Sequence, residues 1–563
     1  MRTLDWIVLI AFLIFVVIHG IWKGRGAKNI RTYMLADKTM PWYAVGLSIM
    51  ATQASAITFL STTGQAYADG MRFVQFYFGL PVAMVILAIV AVPIFHRLNV
   101  YTAYEYLEQR FDLKTRVLTG VLFLIQRGLS TSLSLFAPAL ILSVILGWDM
   151  KLTLRVTGLM ILLYTTLGGV KAVNWNDFYQ FLIIAAGMIA ALIFTIRLLP
   201  EEIHFTDALS IAGTFGKLKT VDFSFDWNNR YNFWSGLIGG MFLALAYFGT
   251  DQSQVQRYLT GKSITQSRLG LLFNGLLKVP MQFFILFVGA MVFVFYQFIT
   301  PPLFFNPVEE ESVRNSSYGE EYAAVERQYH ATAAQKSSLL RRFADAENAE
   351  EKALARTEVL KLQQVSETQR KHAIQILQKN NPDVNPNDTN YVFLSFVTRY
   401  LPAGLVGLVI VIVFAATMAS TSSEWNALAT ASVIDIYKRL VNAGGTDRHY
   451  LWVSRIATAF WGTFAIVVSE RASRLGTLVE AVNILGSLFY GSVLGIFMLA
   501  FFFKWVGGTA AFLAIILGEL VVFSLFLFTE ISFLWYNVFG CLVVIAAAVL
   551  FNIFTPKTVD PAS

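Results

Sequence analysis

The sequence predicts an all-α, polytopic membrane protein of about thirteen transmembrane helices, and three observations carry that prediction. Of the 563 residues, 56% are hydrophobic and only 14% charged, and the mean hydropathy is +0.58. A soluble domain of this length needs a far more polar surface. Apolar runs of roughly 20 residues recur along the chain, each long enough to cross a hydrocarbon core of about 30 Å. The 48 Phe, 22 Tyr and 12 Trp suit lipid-facing and interfacial positions.

In chain order the runs span 4–22, 41–69, 73–96, 115–146, 152–169, 175–198, 232–258, 270–299, 391–437, 450–470, 475–503, 507–529 and 531–554. The first lacks a small-residue cleavage site and is followed by Lys23, Arg25, Lys28 and Arg31, so it reads as a retained helix and not a signal peptide. With the N-terminus outside and the C-terminus inside, the bases of 23–38, 96–116, 257–268 and 438–448, with Lys171, Lys504 and Lys557, all face inward. That is the positive-inside pattern of a multi-pass protein of an inner or plasma membrane. Lys217, Lys219 and Arg230 sit in a longer outside loop that also holds Glu201 and Glu202. The formal charge of +7 is therefore spread as topology signals and implies no nucleic-acid partner. The single Cys541 excludes an intramolecular disulfide.

Between 301 and 390 the chain turns strongly polar, with helix formers and scattered apolar positions that predict an amphipathic hairpin outside the membrane; a loosely ordered charged insertion is the alternative. It ends in NNPDVNPNDT, which has turn chemistry.

Polar groups are costly in hydrocarbon, so polar clusters inside spanning runs should line a cavity or bind something. Thr52, Gln53, Ser55 and Thr58 crowd the middle of the second run, where small and β-branched residues weaken the helix and an unwound stretch would free carbonyls for a cation. The alternative is a packing face of small residues. In the ninth run Ala416, Ser420 and Ser423 share a face in ATMASTSS and offer the oxygens that a hard alkali ion needs. Asp177, at the start of the sixth run, is either a helix N-cap or an ion ligand. Lys278 lies several residues inside an apolar run and predicts a cavity-lining cation. Asp251 is a further intramembrane candidate, while Glu424, Glu480 and Arg399 lie nearer run ends and read as structural pairs.

Together these pieces resemble the sodium/solute symporter family, which includes sodium–glucose, proline and sialic-acid cotransporters. The resemblance rests on TAYEYLEQRFD from Thr102 to Asp112, YTTLGG from Tyr164 with WND ending at Asp177, LPAGLVG from Leu401, and Asn426 with DIY ending at Tyr437. It covers nearly the whole chain outside the polar insertion.

Membership implies a five-plus-five inverted-repeat, leucine-transporter-like core with broken helices and ligands near the midplane. The repeats would be 41–199 and 232–300 with 391–503, joined by an outside loop at 200–231 and interrupted by the insertion at 301–390. Segments 1–40 and 504–563 would be peripheral. By position, the resemblance implies a main sodium site of carbonyls from Ala51, Ala54 and Ala416 plus the Ser420 hydroxyl, with Ala419 standing where many members have a second serine. Asp177, Ser422 and Ser423 match a second sodium site of some bacterial members.

Tyr247 matches a gating tyrosine of the sugar branch, and Lys278 matches a sugar-contacting lysine. Ala244 replaces a sugar-contacting asparagine, and Ser130 stands where the sialic-acid branch has an arginine, with Arg127 one turn away. Gln53, Ser55, Thr58, Gln75 and Tyr77 complete the expected solute contacts. The function this implies is sodium-coupled symport of a small polar solute, a sugar or sugar derivative being favoured over a monocarboxylate, amino acid or vitamin. Sodium is cargo, and no cofactor is expected. A membrane enzyme is disfavoured because no metal-ligand spacing or nucleophile motif occurs. A transporter-like sensor or partner-binding protein is the other alternative, which solute uptake into proteoliposomes would separate.

Overall fold

Helix is the only way for a single chain segment to satisfy its own backbone in lipid, and the long apolar runs fold accordingly. The computed structural model describes residues 2–24, 30–54, 56–346, 348–471 and 478–555. Among the described residues nine helices are long and apolar enough to span a bilayer, and a tenth span is a pair bent by 58°, Trp42–Gln53 with Thr58–Asp69. Thr3–Val16 and Ser235–Gly249 are apolar but shorter. The expected thirteen are therefore not all straight spans, and of three departures two have local causes.

The run expected at 391–437 is divided. Thr389–Tyr400 forms its own helix, and Leu405–Ala431 starts afresh beyond Pro402, which has no N–H to donate, and Gly404, whose φ of +84° suits glycine. The run expected at 232–258 breaks after Gly240–Gly249, and Asp251 caps the next helix, Gln252–Leu259, by accepting from Ser253 N at 2.9 Å. Helical structure extends over all of Met150–Arg197, taking in the runs expected at 152–169 and 175–198. Its first limb lies along Asp447–Ser469, with Gly158 against Ile466 and Arg155 paired to Glu470. Its second limb meets Thr3–Gly24 through Asn176 and His19, and Leu405–Ala431 through Gly187 and Ile412.

The helices that open the two expected repeats, 42–69 and 235–259, are thus the broken ones. The first break falls at Ala54, where φ −83° and ψ +61° leave the helical region. Both broken elements pack about the 405–431 helix, which is buried over nearly its whole length. The Thr3–Gly24 helix approaches it closely because a glycine meets backbone: a Cβ on Gly407 would fall 2.6 Å from Asp5 Cα.

Segment 301–390 contains a helical hairpin, Gly319–Asp345 and Ala349–Asn380. Tyr322, Val325 and Tyr329 on one arm and Ala373, Ile376 and Leu377 on the other recur at helical spacing and form a small core of their own. Arg370 fastens it to the body through Asp388 at 2.5 Å. On the opposite face two sequence motifs meet: the Thr102 hydroxyl and Arg116 Nε both donate to Asp435 Oδ1 at 2.8 Å, and Arg116 also pairs with Glu108 at 2.6 Å.

Candidate functional site

At the break in the 42–69 element, helical hydrogen bonding lapses and side chains from several elements converge on a cavity of about 120 Å³. Thr52, Gln53 and Thr58 come from the break itself, Tyr77 from the turn Met71–Tyr77, Tyr247 from the second broken element, and Lys278 from the helix Ile264–Phe298. Thr58 Oγ1 donates to the Gln53 carbonyl at 3.2 Å across the break. Gln53 Nε2 donates to Asn274 Oδ1 at 2.8 Å, one turn before Lys278. Five of the seven expected solute residues therefore line one cavity.

The remaining two are Gln75 and Ser55. Gln75 is spent elsewhere: its Nε2 donates to the Tyr231 carbonyl at 2.9 Å and its Oε1 accepts from Asp222 N at 2.8 Å, so it ties down a loop and does not line this cavity. Ser55 lies outside the described residues.

The cavity wall also carries charge, from Arg127 and Glu424. Arg127 turns inward, pairs with Asp251, donates to Glu424 Oε1 at 2.9 Å and to the Tyr490 hydroxyl at 2.5 Å, and stacks 5.3 Å over the Tyr247 ring. Tyr490 in turn donates to Asp251 Oδ2 at 3.0 Å, and Gln254 Nε2 donates to the Tyr247 hydroxyl at 2.7 Å. Glu424 is thus a paired group, but its pair stands in the cavity wall. An arginine inside the expected run 115–146 was the available signal, since a buried guanidinium demands an acid partner. Ser130 is buried and does not line the cavity; Ser134, one turn on, does.

With Arg127 committed to two carboxylates, Lys278 is the cavity's uncommitted cation among the described residues. Its Nζ has no hydrogen-bond partner and sits 5.3 Å over the Tyr77 ring. A fully buried ammonium held only by a ring face favours an anionic ligand beside it.

The residues expected at the main sodium site lie on the break and on the 405–431 helix that packs against it. The Ser420 hydroxyl donates to the Ala416 carbonyl at 3.0 Å and borders the cavity, while Ala51 and Ala419 share one buried apolar cluster. Ala54 N donates to the Met50 carbonyl at 2.9 Å, and the chain leaves the helix there.

Asp177 lies inside the 150–197 helix and caps no helix start, which removes the N-cap reading. Its Oδ2 accepts from the Ser48 hydroxyl at 2.7 Å, and its buried Oδ1 has no hydrogen-bond partner. Ser423 lies within 3.3 Å of the Thr52 hydroxyl, and Ser422 donates to the Ala419 carbonyl at 3.3 Å, so Ser48 and Thr52 stand between the carboxylate and the serines. Neither had been singled out as an Asp177 partner.

The family model of the sodium:solute symporter family matches residues 33–326 and 376–518. This chain belongs to that family. The unmatched stretch, 327–375, falls within the polar hairpin. The symporter is 25% identical over 556 residues to the sodium/sialic acid symporter NanT of Aliivibrio fischeri, covering 97% of this chain and 92% of that one. It is 26% identical to the sodium-coupled monocarboxylate transporter 1 of Xenopus laevis, over 91% of this chain and 70% of that one. With the human sodium/iodide cotransporter it shares 31% identity over 50% of this chain and 44% of that one.

A sodium-coupled sialic acid symporter in a substrate-bound, outward-open state superimposes with a TM-score of 0.76 at 21% identity, covering 99% of each chain. That likeness establishes the leucine-transporter-like architecture. The protein is a multi-pass membrane transporter that performs sodium-coupled symport, and it is not an enzyme.

Proposed function

We propose that the co-transported solute is a small organic anion, an acidic sugar derivative or a monocarboxylate, whose carboxylate is received by Lys278. The observation that carries this reading is the ammonium of Lys278, which has no hydrogen-bond partner in a cavity whose other cation is committed. The named ligands of three relatives, sialic acid, monocarboxylate and iodide, are all anions, which supports it. Gln53, Thr58, Tyr77 and Tyr247 supply hydrogen-bonding and ring surfaces for the rest of the solute.

Sodium is held beside this solute by the carbonyls of Ala51, Ala54 and Ala416 and by the Ser420 hydroxyl, where the first broken helix packs on the 405–431 helix. An ion there holds the break in its open shape, so ion and solute favour the same state and coupling follows. The hairpin face is the outside of an inner or plasma membrane, because the base-rich segments 96–116 and 438–448 lie on the other face.

Uptake into proteoliposomes under an inward sodium gradient tests the reading. Carboxylated solutes should accumulate with sodium and not with potassium. Lys278→Met should weaken their apparent affinity roughly 10- to 100-fold, the size of one charge-assisted hydrogen bond. Preferred uptake of neutral hexoses, or unchanged carboxylate affinity in the variant, would refute the anion assignment.

A second ion at Asp177, with Ser422 and Ser423, is the further part of the proposal, favoured by the unpartnered Oδ1. Asp177→Asn should bring the Hill coefficient for sodium down toward one and reduce the charge moved per solute. A variant with the wild-type sodium curve and only a lowered thermal midpoint would leave Asp177 a structural partner of Ser48.

A further inference from the structure

Beneath the helical hairpin lies a second cleft, of about 200 Å³, between it, the loop bearing Lys217 and the near ends of the 56–69 and 264–298 helices. Its charge is unbalanced. Lys336, only 5% exposed, donates to Gln363 Oε1 at 2.8 Å and makes no ion pair. Lys217 donates to the Ala68 carbonyl, lies 4.5 Å over the Phe293 ring and makes no ion pair either. Arg370 is held by Asp388 yet leaves its Nε without a partner. Ser366, 5% exposed and lining the cleft, has a hydroxyl with no hydrogen-bond partner.

Asp388 is consumed by Arg370, and neither lysine makes a direct ion pair with the carboxylates nearest it, Asp69 and the exposed rim residue Glu367 for Lys217 and Glu367 for Lys336. Burial pulls both ammonium groups down to about 8, even with Asp69 and Glu367 near Lys217 and Glu367 near Lys336. A buried and a half-buried ammonium with spare hydroxyl and guanidinium donors beside them are costly when empty. They match the several acceptor oxygens of a carboxylate or phosphate.

We propose that this cleft is a second binding site, for a small oxyanion, separate from the transport cavity. Thr58 lines the cavity and Tyr67 lines the cleft, and nine residues at about 100° each place them on opposite sides of the same helix. A bound oxyanion ties Lys336, Ser366 and Arg370 of the hairpin to Lys217, and through the Ala68 carbonyl to the outer half of the first broken helix. The hairpin is thereby braced against an element of the transport core. The proposal is independent of the solute's identity.

The experiment uses the full chain in neutral detergent and sodium-free buffer, titrated with inorganic phosphate or acetate against chloride at matched ionic strength. The thermal midpoint should rise saturably with the oxyanions beyond the chloride control. Lys217→Met and Lys336→Met, on different elements, should each weaken the apparent affinity at least about tenfold. Their ligand-free midpoints should be unchanged or higher, because a largely desolvated ammonium without an ion pair is removed; a purely structural lysine would lower them. A shift produced only by phosphatidylglycerol in nanodiscs, and lost in both variants, assigns the same site to a lipid phosphate. No saturable shift in any arm, or an undiminished shift in the double variant, overturns the proposal.

Discussion

Arg127→Met should cost about 3–5 kcal/mol of stability, the usual consequence of removing one partner from a buried ion cluster. The guanidinium stands between Asp251 and Glu424, all three are buried, and Tyr490 is bonded to both Arg127 and Asp251. Methionine fills much of the volume but leaves two carboxylates facing each other with no cation between them. The second broken helix suffers first, because Asp251 is also the N-cap of 252–259. The thermal midpoint of the purified protein should fall sharply, and surface expression with it. Adding Asp251→Asn and Glu424→Gln should recover much of the loss, since both charges vanish while asparagine still caps a helix. If Arg127→Met alone is as stable as wild type, the cluster is not the brace described here.

Ser420→Ala should raise the sodium concentration for half-maximal uptake at least about tenfold, equivalent to about 1.4 kcal/mol. Ser420 offers the one side-chain oxygen at the proposed main ion site; its hydroxyl lies 3.0 Å from the Ala416 carbonyl, and Ala419 beside it is buried against Ala51. Removing the hydroxyl leaves three carbonyls for a cation that takes several oxygen ligands. Uptake measured across a sodium series, with membrane voltage clamped to zero, reads this directly. Ala419→Ser is the converse variant and should lower the half-saturating sodium concentration. A Ser420→Ala curve that overlays the wild type would remove Ser420 from the ion site.

The break in the first core helix is legible from Thr52, Ser55 and Thr58 around it, whereas the divide at Pro402 and Gly404 splits a run expected to be continuous over 391–437. The 301–390 hairpin is legible too: Tyr322, Val325 and Tyr329 already recur at helical spacing before any partner arm is known. Gln75 is a different matter. It reads as a polar residue near the solute, and only the fold of the 222–231 loop shows its amide consumed at both ends. Asp177, at the boundary of an expected run, reads from sequence as either a helix N-cap or an ion ligand, and the helix that continues through it removes the first.

What the sequence by itself determined is the solvent of each segment: lipid for the long apolar runs, water for 301–390, and polar clusters marking where lipid must be absent. Those are local properties, read within a window of a few helical turns. Only the tertiary structure decided which charges cancel. Arg127 meets partners 124 and 297 residues away, and Thr102 meets Asp435 across 333. In a low-dielectric interior such pairings decide which cation stays uncommitted, and that leaves Lys278 in the transport cavity and Lys217 with Lys336 under the hairpin.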